Sequence, residues 1–129
     1  MIMLAMAAMM LMGRPMVVID ERDTVVREAT PHGGTGMSTA WRMSDRAPNR
    51  TMDFRKHSLD RGASIGLHVL THDEVYYVVS GAGVVTSDGI SKPVRDGVAA
   101  YLYTGARVGI VQQGRVPLVL IVAYPIPAK

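Results

Sequence analysis

From Met16 onward the apolar residues come in short runs, many alternating with polar ones. Each run is closed within a few residues by Gly, Pro, Asn, Asp or Ser. A period of two puts successive side chains on opposite faces of a strand, and no segment after residue 16 holds the longer period of a helix. The pattern predicts short strands over residues 17–19, 24–26, 37–43, 51–59, 64–71 and 74–80. It predicts others over 84–86, 92–94, 98–103, 107–112 and 116–124. The run from Glu74 to Ser80 is the strongest, being dense in β-branched and aromatic side chains. Ser87-Asp88-Gly89 is a hairpin signal, and the loop at 31–36 is loosened by Gly33, Gly34 and Gly36.

Many short strands separated by turns mean an all-β sandwich or barrel, and closure removes exposed edges. The chain has 129 residues, the size of one domain, and 48% of them are hydrophobic, enough for a core. That domain is expected over 16–129, with residues 1–15 as an apolar N-terminal extension or arm. Met1 to Met12 is too short to span a bilayer as a helix, and its first charge, Arg14, follows the apolar run rather than preceding it. A membrane partner and a working export signal are therefore not expected, and the protein is placed in the cytoplasm.

Net charge is +3, with Arg ahead of Lys, but the basic residues are interspersed with acids and not interleaved with aromatics. Nucleic-acid binding has little support from such a pattern. The chain has no Cys, so disulfides, thiol nucleophiles and Cys-ligated zinc are excluded. Any metal would need His, Asp or Glu, and the chain holds four histidines: His32, His57, His68 and His72.

Residues 62–83 read GASIGLHVLTHDEVYYVVSGAG. This stretch resembles the first motif of the cupin superfamily: a glycine, a His-x-His pair, a short spacer, a Glu, then an apolar strand ending in glycine. His68 falls on the first His, Glu74 on the Glu, and Gly81 on the closing glycine. Residues 97–112, GVAAYLYTGARVGIVQ, are similar to a degraded second motif, with Gly97 and Gly105 matching. The resemblance covers roughly residues 50–124. It implies a single-domain cupin-type double-stranded β-helix, a jelly-roll barrel, and a homodimer paired through its sheets. Family members usually hold a divalent metal with three His and one Glu. Here Leu70 occupies the second His position and Val108 the third, so half the ligand set is hydrocarbon.

Within that frame His68 and Leu70 share one face of a strand, as do Glu74, Tyr76 and Val78 of the next and Val108, Ile110 and Gln112 of the second motif. These residues are expected to line an apolar pocket, with His68 and Glu74 as its acid–base pair or as a buried structural ion pair. His72 is either an exposed turn residue or a replacement ligand, which would give His68, His72 and Glu74 as a three-residue metal set. Asp73 reads as a turn residue, and Arg55 and Arg107 as surface residues or anion contacts. Tyr101 and Tyr103 offer phenols or a strand surface. His32 and His57 have no motif context and read as structural or exposed.

Three functions remain open on the sequence, and whether the protein is an enzyme stays undecided. The leading one is a small-molecule-binding cupin with an incomplete metal site and no cofactor, acting by binding alone or by metal-free proton transfer of the isomerase or cyclase kind. The second is a metal-dependent dioxygenase or isomerase using Mn, Fe, Ni or Zn. The third is a non-catalytic dimeric scaffold, which predicts a filled barrel without a cavity.

Overall fold

The computed structural model describes residues 13–127. The expected arm falls almost wholly on residues 1–12, outside the described residues. Ten strands form two antiparallel sheets. The six-stranded sheet runs β1 (Val25–Ala29), β2 (Met37–Trp41), β3 (Met52–Leu59), β10 (Leu118–Pro125), β5 (Glu74–Ser80) and β8 (Ala99–Leu102). The four-stranded sheet runs β4 (Ser64–Val69), β9 (Arg107–Gln113), β6 (Ala82–Ser87) and β7 (Ile90–Arg95). This is the expected all-β jelly roll. From β3 onward the chain crosses between the sheets at every connection except the β6–β7 hairpin, so the strands wrap around one interior.

Alternation fixes which side chains enter that interior. On β10, Leu118, Leu120 and Val122 are buried while the residues between them are only partly covered. They meet Val78 of β5, Leu59 of β3, and Val108 and Ile110 of β9. Each such buried aliphatic contributes about 1.5–3 kcal/mol of transfer free energy. Asp88 and Gly89, both at positive φ (48° and 80°), close the β6–β7 hairpin, as its turn sequence implies.

The segment 17–19 is not a strand, contrary to the expectation. It has no paired neighbour among the described residues, and Val18 is 86% exposed. Three β-branched residues without a hydrogen-bonding partner have no reason to stay extended in a sheet. The strand expected over 37–43 stops at Trp41, and a 3-10 turn, Met43–Arg46, follows.

Two features shape one end of the barrel. First, the β4–β9 register shifts between Ile65 and His68, so the bulge turns both inward despite their odd separation. Second, the loop at 31–36 lies directly on β4. Gly66 N donates to the Pro31 carbonyl at 3.3 Å and Ser64 N to the Thr35 carbonyl at 2.9 Å. A Cβ on Gly66 would lie 2.0 Å from the His32 carbonyl oxygen, and one on Gly34 would lie 1.8 Å from that of Ser64. Only glycines allow these two backbones to approach so closely.

Candidate functional site

A cavity of about 370 Å³ opens at this end of the barrel, and all four histidines of the chain line it. β4 and the turn after it supply His68, Leu70, Thr71 and His72; β5 supplies Glu74 and Tyr76. Glu74 and Tyr76 are 6% and 3% exposed, as the alternation of β5 requires.

His68 Nδ1 donates to the Gly66 carbonyl at 2.8 Å, which leaves Nε2 for another partner. The His32 ring stacks on His68 with centroids 3.5 Å apart, held there by the loop that rests on Gly66. Burial, and then the neighbouring His68, hold the His32 imidazole below its ordinary range. The expected His68–Glu74 pair is not formed. Glu74 Oε1 instead meets His72 Nε2 at 3.3 Å, and the His72 ring stacks on Tyr124 at 4.4 Å. The turn between β4 and β5 is so short that His72 folds back over the carboxylate instead of facing solvent. Burial, reinforced by Glu74, pushes the Tyr76 phenol up, so it remains a proton donor at any working pH.

Another wall comes from β3, β1 and the residue that follows β2. The inner face of β3 carries Asp53, Arg55 and His57 before Leu59, while Met52 and Phe54 point outward at 63% and 47% exposure. This inverts the ordinary rule of apolar residues inside and polar residues outside. Arg55 and His57 line the cavity, together with Arg42, which follows β2, and Glu28 of β1. Arg42 Nη2 donates to Glu28 Oε2 at 2.5 Å. His57 is 7% exposed, and burial, then the Arg55 charge, lower its imidazole to about 4. It is therefore neutral near neutral pH. No motif points to His32 or His57. The readable signal for His57 is the inverted alternation of residues 52–58, which by itself resembles only an imperfect strand.

The remaining candidates lie elsewhere. Leu70 is at the cavity, but Val78, Val108, Ile110 and Gln112 are not among its lining residues. Val78, Val108 and Ile110 are packed in the closed core at 0–1% exposure. Gln112 accepts from Gly62 N at 2.7 Å and donates to the carbonyls of Gln113, Gly114 and Val116, bracing the turn around it. The hydrocarbon of the cavity comes from Ile65, Leu70 and Val122, and it holds more imidazole and charge than two replaced histidines suggest. Tyr101 and Tyr103 are exposed, and Arg107 lies on the surface. Asp73 accepts from the Tyr101 hydroxyl at 2.6 Å and from Thr104, which lowers its carboxyl to about 2 and pins the turn before Glu74.

The residues present do not fit the metal that cupins commonly carry. Two of the four ligand positions that the motif resemblance implies hold Leu70 and Val108, both inside the barrel at 3% and 0% exposure. His68, His72 and Glu74 do not gather as a ligand set, and no group of three His, Cys, Asp or Glu among the described residues does so.

No protein-family model matches the chain, and no curated protein matches it in sequence. Solved structures do match. A predicted oxalate decarboxylase from Thermotoga maritima is similar at a TM-score of 0.76 and 23% identity, over 86% of this chain and 100% of that one. The polyketide cyclase RemF from Streptomyces resistomycificus is similar at a TM-score of 0.73 and 18% identity, over 88% and 81%. An RmlC-like cupin from Shewanella frigidimarina is similar at a TM-score of 0.69 and 20% identity, over 88% and 95%. At such identities the likeness is one of architecture: the chain shares the two-sheet jelly-roll fold of these structures.

Proposed function

We propose that this protein binds a small organic molecule between its sheets and moves a proton on it without a metal, in the manner of an isomerase or cyclase. The observation that carries this reading is the cavity itself, with the buried Glu74 carboxylate presented to it and His72 against that carboxylate. A filled barrel would have favoured a scaffold. Glu74 is the base or acid, and His72 holds its carboxyl group in place through their shared hydrogen bond. His68 offers its free Nε2 as a second contact, and Tyr76 is a fixed donor to an oxygen on the bound molecule. Binding sites in such folds combine apolar walls with a few polar groups, as this one does. The names of the similar proteins, a cyclase and a decarboxylase among them, agree with small-molecule chemistry in this architecture.

The test is a thermal-shift screen of small carbonyl and hydroxyl compounds, followed by mass spectrometry of each hit in heavy water. Deuterium entering a hit in the wild type but not in Glu74→Gln supports proton transfer. Hits that bind equally to a Leu70→Trp variant, whose cavity is blocked, would remove the cavity from the account.

We also propose that the chain pairs with a second copy through the outer face of the six-stranded sheet. Met52, Phe54, Tyr77, Val79 and Tyr101 are all exposed there by 43–63%. An apolar face of that kind on a small domain suits association. Sedimentation of the wild type against Phe54→Glu checks it: a dimer that becomes a monomer supports the pairing, and a monomeric wild type refutes it.

A further inference from the structure

Four buried side-chain polar atoms among the described residues lack a hydrogen-bond partner: Ser38 Oγ, Arg42 Nε, Arg55 Nε and His57 Nδ1. All four belong to β2, β3 or the residue just after β2, and three of the four residues line the cavity. Buried polar groups in folded proteins are nearly always paired, so a cluster of orphans on one cavity wall calls for a ligand. His57 is more than nine-tenths buried and has no partner for Nδ1.

Three guanidiniums and three carboxylates meet at that wall, but they are not held equally closely. Glu28 holds Arg42 at 2.5 Å, and Arg50 Nε holds Asp53 at 2.8 Å with Ser44 Oγ also on that carboxylate at 2.9 Å. Arg55 is left with longer contacts to Asp45 and Asp53, at 3.2 and 3.4 Å. One guanidinium is thus loosely held beside the cavity, backed by a neutral imidazole. A planar fork of N–H donors matches a carboxylate in shape and charge. One loosely held guanidinium, on a wall whose other charges are closely paired, suits a single negative charge better than the two of a phosphate.

Sheet register sets where such a group would sit. Val122 pairs with Arg55 on one side and with Tyr76 on the other, so the three side chains form one row across the inner face. Glu74 is the next inward residue on Tyr76's strand. Arg55 and the Glu74 strand are two strand spacings apart, roughly 10 Å, within which long side chains from both converge on one small molecule.

We propose that the ligand of this cavity is a small organic acid whose carboxylate is received by Arg55, with Arg42 and His57 alongside, leaving its carbon skeleton at Tyr76 and Glu74. This rests on the proton-transfer reading of the cavity and names its substrate class. It predicts recognition by charge at one end and proton transfer at the other.

The experiment compares propionate, benzoate and lactate, each with its neutral amide, by calorimetry and ligand-observed NMR, with inorganic phosphate as a competitor. Charge-assisted hydrogen bonds imply that each acid which binds does so about tenfold or more tighter than its amide. That preference should vanish in Arg55→Gln, survive in part in Arg55→Lys and remain in Glu74→Gln. Should Arg55→Gln not fold, the wild-type ratio and the Lys variant still decide. Equal binding of acid and amide, or a preference unchanged in Arg55→Gln, overturns the proposal, as does phosphate displacing the acids at lower concentration. If the amides and other neutral compounds bind while the acids do not, the carboxylate site falls and the cavity reading stands. If nothing binds, both fall.

Discussion

His57 provides a quantitative test of how the interior is built. Its imidazole is lowered to about 4 from an ordinary 6.5, chiefly by burial, then by the Arg55 charge, with Arg42 acting the same way and Glu28 opposing. The unfolded chain therefore binds a proton that the folded chain refuses, and stability falls as pH drops below the ordinary value, levelling only past about 4. At about 1.4 kcal/mol for each pH unit, the full loss is about 3 kcal/mol, of which about 2 kcal/mol is gone by about pH 5. Replacing His57 with Gln removes the titration and retains a polar side chain. Urea unfolding, followed by the fluorescence of Trp41, the single tryptophan, gives the stability of both proteins at each pH. The variant should gain on the wild type by about 2 kcal/mol between about pH 7 and about pH 5, whatever their offset at neutral pH. Two parallel curves over that interval would refute the claim that His57 is held neutral inside the barrel.

Other outcomes come from the same geometry. Leu120 is fully buried between the sheets, and Leu120→Ala should cost about 2–5 kcal/mol of stability in denaturant unfolding. In Gly66→Ala the new methyl cannot share space with the His32 carbonyl, so the loop at 31–36 must lift and the His32–His68 stack open. Proton NMR titration should then show the His32 imidazole returning upward toward its ordinary value, and an unchanged titration would contradict the packing. Placing an imidazole at the replaced position that lines the cavity, Leu70→His, should give a protein that binds nickel more tightly than the wild type by calorimetry. Equal affinity would mean that residue 70 does not face His68 and Glu74 closely enough to share an ion with them.

The wall that separates this protein from a simple greasy barrel is written in β3, yet it is hard to read there. Asp53, Arg55 and His57 alternate with Met52, Phe54 and Lys56, a period of two in which Lys56 breaks the apolar side. Alternation says that two faces differ but not which one is inside, and the usual rule would have turned Phe54 inward. The structure turns it outward because Leu59, at the same parity as His57, belongs to the core. His32 is hidden for another reason. It stands on a glycine loop more than thirty residues before its stacking partner, and only the contact of Gly34 and Gly66 brings them together.

What residue order alone determined here was the strand content, the turns, the absence of thiol chemistry and the likeness to a cupin motif around His68 and Glu74. Those are properties of local periodicity and of spacing within one or two strands, which a linear reading preserves. The partner of Glu74, the burial of His57 and the gathering of Arg42 and Arg55 at one cavity were decided by the tertiary structure. Each depends on strand register and on a bulge in β4, where one residue more or less reverses the face of everything beyond it.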